Sequence, residues 1–173
     1  MTMTLPERFD GEADLDDFLS TPDDALKKDL AELDGDIMVI GVGGKMGPTL
    51  ARMAKRAAPD KRIIGVARFT EPDLKAKLEA CGVETIAADL LDRAQVAALP
   101  KAKNIIFMAG RKFGSTGSEE LTWAMNGYAP ALVAEHFTTS RIVAYSTICV
   151  YPFAPVAHGG SREEDPVAPP GEY

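Results

Sequence analysis

The sequence has few of the residues that build disulfide frameworks and metal centres. Its 173 residues include two cysteines, Cys81 and Cys149, and two histidines, His136 and His158. Two cysteines do not make a disulfide scaffold, and both fall in or beside predicted buried elements, so we expect free thiols in the core. Neither histidine has a neighbour at metal-ligand spacing, and we expect no metal site.

Long apolar runs and an excess of basic charge are also missing. No stretch approaches the roughly 20 apolar residues that cross a bilayer, and the N-terminal residues lack an apolar signal core. We therefore expect a cytoplasmic protein with no membrane partner. With 26 acidic and 19 basic side chains the net charge is −7, which argues against nucleic acid as a partner.

The acidic charge is concentrated at the N-terminus. Residues 1–36 hold 12 acidic and 3 basic side chains, whereas the rest of the chain is close to neutral. Leucine and phenylalanine spacings there predict one or two short amphipathic helices, with a helix start at Thr21-Pro22. We therefore divide the chain into an acidic helical lead-in, residues 1–36, and a main domain, residues 37–173.

The main domain alternates short apolar runs with helical patterns. Strands are predicted at residues 37–42, 62–67, 83–87, 104–108 and 141–145. Helices are predicted at 45–58, 73–81, 92–99 and 119–137, the second ending at Gly82, with loop from 146 onward. This order indicates an α/β domain with a doubly wound parallel sheet of the Rossmann type. The last strand of the six-strand form is missing, so we expect a sheet that is incomplete at its C-terminal side.

A glycine-rich turn joins the first strand to the first helix of the main domain. Gly41 permits a tight turn, Gly44 lets the backbone approach a pyrophosphate, and Gly47 lets the helix pack closely on the strand. The following helix N-terminus favours an anion. We therefore predict dinucleotide binding by this turn, with Gly43, Lys45 and Met46 as further cofactor-binding residues. Binding of S-adenosylmethionine on a related sheet, or a tight turn without ligand, are the alternatives.

The end of the second strand bears on which dinucleotide binds. It reads Val66-Ala67-Arg68, without the carboxylate that would hold a ribose 2′-hydroxyl, and Arg68 suits a 2′-phosphate. NADP is therefore favoured over NAD, although Arg68 could instead stack on adenine or stay solvated. Asp89, followed by Leu90 after the third strand, is placed to meet the adenine amino group or to cap a helix.

Several short motifs occur in one order along the main domain. They are Gly41, Gly44 and Gly47; Asp89-Leu90; Met108-Ala109-Gly110; Asn126; Ser146-Thr147 with Val150-Tyr151; Glu164-Asp165-Pro166 with Pro169; and Tyr173. Together they resemble the extended short-chain dehydrogenase/reductase family, also called NAD-dependent epimerases/dehydratases, from about residue 36 to residue 173. Phe107 stands where that family has a histidine, and Pro152 where it has a glycine.

The resemblance implies particular roles for these residues. Tyr173 would be the catalytic acid/base and Thr147 the hydroxyl that hydrogen-bonds the reacting oxygen, with Ser146 as its neighbour and substitute. Ala109, Gly110 and Asn126 would contact the cofactor. Lys112, at the carboxyl edge of the sheet, would meet cofactor phosphate or an anionic substrate, or else remain a solvated loop lysine.

The resemblance also implies a function. The family's catalytic lysine follows its tyrosine by four residues and lowers the phenol pKa; this chain ends at Tyr173, before that lysine and the substrate lobe. We therefore expect the cofactor-binding portion of a reductase, epimerase or dehydratase that acts on a carbonyl or hydroxyl of a small molecule, with a sugar or sugar nucleotide as a candidate. The alternative is a non-catalytic NADP(H)-binding sensor. A homodimer through the 119–137 helix is also implied.

Overall fold

The computed structural model describes residues 6–171, so Tyr173 lies outside the described residues. In this described range, five short strands form one parallel sheet in the order β3-β2-β1-β4-β5. They are β1 (Ile37–Ile40), β2 (Ile63–Ala67), β3 (Glu84–Ala87), β4 (Asn104–Phe107) and β5 (Arg141–Ala144). The prediction of a doubly wound parallel sheet is confirmed.

Within the described residues, seven α-helices accompany the sheet. They are α1 (Glu12–Leu19), α2 (Asp24–Glu32), α3 (Gly47–Ala57), α4 (Leu74–Ala80), α5 (Arg93–Ala97), α6 (Glu119–Trp123) and α7 (Ala129–His136). Helix α4 is followed by Gly82 in the left-handed conformation, with φ +79°, which confirms the predicted helix end. Helices predicted in the main domain are found within one or two residues of their expected bounds, except for the one at 119–137.

That predicted helix is interrupted rather than continuous. A single π-helical turn, Ala124–Tyr128, separates α6 from α7, and the N–H of Ala129 donates to the carbonyl of Ala124, five residues earlier. The cause is Pro130, which has no N–H and whose ring would clash with the carbonyl of Asn126 in a regular α-helix. Widening the turn relieves that clash, and such π-bulges are frequent at functional sites.

The central strands β1, β2 and β4 are buried on both faces by two apolar layers. In β1, Met38 and Ile40 pack into one layer with α7, whereas Ile37 and Val39 pack into the other with α3 and α4. These four side chains are at most 2% exposed. Burial on both faces explains why the strands are continuous apolar runs, and each buried side chain of this kind contributes about 1.5–3 kcal/mol.

Helices α1 and α2 of the lead-in dock on the outer side of α3. The carboxylate of Asp17 accepts hydrogen bonds from Arg52 at 2.6 Å and Arg56 at 3.2 Å. Arg56 also donates to the buried Ser20 hydroxyl at 3.0 Å. Asp17 of the lead-in thus pairs with two arginines of α3, and positive side chains near the C-terminus of this helix also suit its dipole.

The expectation that both cysteines lie in the core is wrong. Cys81 is exposed and Cys149 only half-buried, although both are free thiols. Leu78 is the buried residue of the short helix α4, and Cys81 lies beyond its end, in the turn that leads to β3. Cys149 belongs to a 3-10 turn, Ile148–Val150, that follows the edge strand β5, all of whose residues are exposed.

Residues 6–171 contain neither a candidate membrane span nor a candidate metal-ligand cluster. No helix in that range is long and apolar enough to span a membrane. Nor does that range hold a group of three or more His, Cys, Asp or Glu side chains placed for a metal ion.

Candidate functional site

The glycine-rich turn folds through its own backbone. The N–H groups of Gly41 and Val42 donate to the carbonyl of Val66 at 2.9 and 3.2 Å, which anchors the turn to β2. Gly44 donates to Gly41 at 3.1 Å, and Gly47 donates to Gly44 at 3.3 Å. The loop is therefore shaped before any ligand arrives.

Two of the three motif glycines are needed for steric reasons. Gly41 has φ +88°, and a Cβ there would lie 2.5 Å from the backbone nitrogen of Ala109. A Cβ at Gly47 would lie 2.3 Å from the carbonyl oxygen of Val42, so α3 packs tightly against the end of β1. At Gly44 the nearest atom to a Cβ would be 3.5 Å away, an ordinary contact. Gly44 thus leaves open backbone, where a phosphate could approach.

An open groove of about 220 Å³ lies beside this turn, at the carboxyl ends of β1, β2, β3 and β4. From β1 the chain builds outward through β2 and β3, then returns to the other side with β4, so the groove lies at the topological switch point where ligands bind in such sheets. The predicted cofactor-binding residues that line it are Gly41, Gly43, Gly44, Arg68, Asp89, Leu90, Ala109 and Gly110.

Other predicted residues belong to neighbouring segments but not to the lining. Lys45, Met46 and Gly47 continue the turn into α3, where Met46 is 56% exposed and its side chain makes no capping hydrogen bond. In the first turn of α3, Gly47 donates to Gly44, Pro48 has no N–H, and Leu50 donates to Met46, which leaves the N–H of Thr49 for an anion.

Asp89 lines the groove and does not cap a helix, so the adenine contact stays a prediction. Its Oδ1 accepts the N–H of Leu91 at 3.0 Å, while its own N–H donates to Gln95 at 2.9 Å. The N-cap of α5 is instead Asp92, which accepts from the backbone of Ala94 and Gln95. Hydrogen bonds from the Gln95 side chain and from these backbone groups hold the pKa of Asp92 below its usual value.

Asn126 lies in the π-helical turn and clamps the loop after β4. Its Oδ1 accepts the N–H of Arg111 at 2.8 Å, and its Nδ2 donates to the carbonyl of Arg111 at 3.0 Å. A Cβ on Gly110 would lie 3.4 Å from the same Oδ1. Asn126 therefore holds the backbone beside the groove through both ends of its amide.

A second cavity of about 390 Å³ lies between the loop after β4 and the segment after β5. Lys112 and Glu119 line one side, and Cys149 and Phe153 line the other. Thr147 precedes Cys149, and its Oγ1 accepts the N–H of Cys149 at 3.2 Å. Thr147 is half-buried and Ser146 exposed, and neither lines the groove or this cavity.

The segment between β2 and α4 forms part of the groove, although the sequence motifs did not predict this. Phe69, Thr70 and Glu71 line it together with Leu74, and Met125 reaches it from the π-helical turn. A loop at the carboxyl end of a strand next to β1 is where such lining residues are expected. The sequence pattern pointed to Arg68 alone, the first residue after β2.

The comparisons with known proteins found likenesses among solved structures alone. No family model and no curated protein matches the chain. The ADP-L-glycero-D-manno-heptose-6-epimerase of Helicobacter pylori superposes with a TM-score of 0.69 at 19% identity, over 88% of this chain and 49% of the epimerase. The enzyme WbmG of Bordetella bronchiseptica, in complex with NAD and UDP, gives 0.64 at 17% identity, over 82% of this chain and 46% of WbmG.

A third structure names the wider family. A short-chain dehydrogenase/reductase from Saccharomyces cerevisiae has a TM-score of 0.60 at 16% identity, over 69% of this chain and 56% of that one. The chain spans about half the length of the first two proteins. The resemblance seen in the sequence is thus confirmed at the level of the fold: the chain has the Rossmann-type fold of epimerase and short-chain dehydrogenase/reductase structures.

Proposed function

We propose that the chain is the nicotinamide-dinucleotide-binding portion of a reductase, epimerase or dehydratase acting on a carbonyl or hydroxyl of a small molecule. The observation that carries the proposal is the glycine turn that opens α3 beside a groove at the switch point of the sheet. The NAD bound to the similarly folded WbmG supports the choice of cofactor. The epimerase from Helicobacter pylori supports a sugar or sugar nucleotide as the substrate class.

The residues present fit such a cofactor. Gly43 and Gly44 line the groove without side chains, and the N-terminus of α3 offers the N–H of Thr49 and a positive dipole end to a pyrophosphate. Arg68, exposed on the rim, suits the 2′-phosphate of NADP. When bound, the nicotinamide would accept or supply a hydride.

The chain's own residues would then handle the proton and the substrate. The Thr147 oxygen accepts a backbone N–H, so its hydroxyl proton is free to donate to a substrate oxygen. Tyr173 is proposed as the proton donor and acceptor. Ser146, next to Thr147, is proposed as a substitute for the Thr147 hydroxyl. Lys112, in the second cavity, is suited to an anionic substrate group, while Asn126 keeps the loop that carries Ala109 and Gly110 in place.

A sensor that binds NADP(H) without catalysis is the second candidate. It is favoured by the position of Ser146 and Thr147, which do not line the cofactor groove. Turnover of a carbonyl substrate by the chain would exclude the sensor, whereas dinucleotide binding is expected of both candidates.

We also propose a homodimer through α6, the π-helical turn and α7. Leu121, Trp123 and Tyr128 are 39%, 64% and 47% exposed there, although such large apolar side chains are usually buried. If this surface is the dimer contact, Trp123→Lys should yield a monomer by light scattering at a concentration where the unmodified chain is dimeric. An unmodified chain that is monomeric at all concentrations would contradict the dimer.

Calorimetric titration of the chain with NADPH, NADH and S-adenosylmethionine tests the cofactor. The proposal predicts binding of at least one dinucleotide and none of S-adenosylmethionine. A folded chain that binds only S-adenosylmethionine would instead be a methyltransferase-like protein.

A further inference from the structure

We propose that Glu71 is a specificity-determining residue that disfavours a 2′-phosphate and holds an unphosphorylated ribose. This inference rests on the proposed dinucleotide function and concerns the same groove. Glu71 lines the groove three residues beyond Arg68, so the carboxylate missing at the end of β2 is supplied by the loop that follows.

The loop that carries Glu71 is held in a fixed conformation. Phe69 has φ +50°, a left-handed value that is unfavourable for an aromatic residue and persists only where the surroundings enforce it. Its side chain is half-buried and packs against the core layer that includes Leu74 and Met108. Anchoring Phe69 inward leaves its neighbours Arg68 and Thr70 exposed, and Glu71 follows them on the rim.

The charges in the groove lining favour a neutral ribose. The charged residues that line it are Arg68, Glu71 and Asp89, which gives one positive and two negative side chains. Within residues 6–171, Arg68 and Glu71 have no hydrogen bond or ion pair to another protein group, whereas Asp89 accepts the N–H of Leu91. The Glu71 carboxylate is thus available as an acceptor for ribose hydroxyls.

A 2′-phosphate would meet a different environment. It carries about −1.5 to −2 charges at neutral pH, and a carboxylate can only accept hydrogen bonds, so it offers this group no donor. Arg68 attracts the phosphate and Glu71 repels it. The two residues therefore act in opposite directions on the choice between NADP and NAD, and Glu71 limits the preference that Arg68 alone would create.

Titration of the full chain with NADH and NADPH, for the unmodified protein and for Glu71→Gln, tests the inference. Charges of this size several ångströms apart in water correspond to about a fivefold to tenfold change in affinity. We expect Glu71→Gln to bind NADPH more tightly by about that factor at low salt and NADH no more tightly. Asp73→Asn is the matched control, because it removes the same charge two residues away and does not line the groove.

The outcomes separate the inference from the proposed function. An NADPH-to-NADH affinity ratio that rises in Glu71→Gln and not in Asp73→Asn supports the inference. An unchanged ratio in Glu71→Gln, or an equal rise in both variants, overturns it while leaving dinucleotide binding intact. If the folded, unmodified chain binds neither nucleotide, both the proposed function and the inference fail.

Discussion

Two glycines of the same turn should respond to alanine in different ways. At Gly47 the added methyl would lie 2.3 Å from the carbonyl oxygen and 2.6 Å from the carbonyl carbon of Val42, whereas side-chain Cβ atoms keep at least 3.0 Å. Since both obstructing atoms are backbone, α3 or the end of β1 must move. Overpacking of this kind costs about 1–3 kcal/mol.

Alanine at Gly44 should leave stability nearly unchanged. Its methyl would meet only the carbonyl of Gly41, at 3.5 Å, and the residue does not require a left-handed backbone. The methyl would nevertheless stand where we propose that a pyrophosphate approaches the backbone. We therefore expect Gly44→Ala to unfold like the unmodified chain and to bind NADH at least tenfold more weakly.

Urea unfolding and NADH titration of both variants provide the assay. With a slope of about 2 kcal/mol/M, a loss of 2 kcal/mol would lower the midpoint for Gly47→Ala by about 1 M. Gly127→Ala is the control, because a Cβ there meets nothing within 4 Å and Gly127 lines neither cavity. The steric reasoning is refuted if Gly47→Ala is as stable as the unmodified chain, and the cofactor role of Gly44 if its alanine variant binds NADH normally.

Three further predictions concern single side chains. Arg68→Asp should weaken NADPH more than NADH in calorimetry, and equal losses would refute a contact to the 2′-phosphate. Asn126→Ala should lower stability by about 1–2 kcal/mol, because the N–H and carbonyl of Arg111 lose their hydrogen-bond partner. Amide hydrogen exchange at Arg111 should also become faster, and an unaltered exchange rate would refute the clamp. The Arg62 guanidinium donates hydrogen bonds of 2.6 and 2.7 Å to the Glu84 carboxylate and holds its pKa below the ordinary 4.5. The ion pair therefore stabilises the fold at neutral pH, and this stabilisation is lost as the pH falls through the lowered pKa. Glu84→Gln should therefore lose less stability on acidification than the unmodified chain does. The difference should be under about 1 kcal/mol because the pair is exposed. Urea midpoints that shift equally with pH in both proteins would refute this.

The sheet and the glycine turn were predictable because their causes are local. Short apolar runs such as residues 37–40, which alternate with helical patterns, are typical of strands buried on both faces, and Gly41 and Gly47 stand where a turn and a close packing contact exclude a side chain. The alternation of these strands with helices then predicts that the strands run parallel, as the structure has them.

The shape of the groove rim and the Asn126 clamp could not be predicted, because they depend on contacts between residues that are distant in the sequence. The positive φ of Phe69, which shapes the groove rim, comes from its packing against a core layer and has no local sequence pattern. The π-helical turn was foreseeable from Pro130, yet its use as a clamp depends on Arg111, 15 residues away from Asn126. The positions of Cys81 and Cys149 were mispredicted because short elements at the sheet's periphery bury few residues.

Amide chemical shifts of the labelled chain during titration with NADH test the central claim most directly. The account predicts saturable shifts at Gly43 and Gly44, at Arg68, and at Ala109 and Gly110, which approach one groove from three different loops. Shifts confined to other parts of the chain, or none at all in the folded protein, would contradict it.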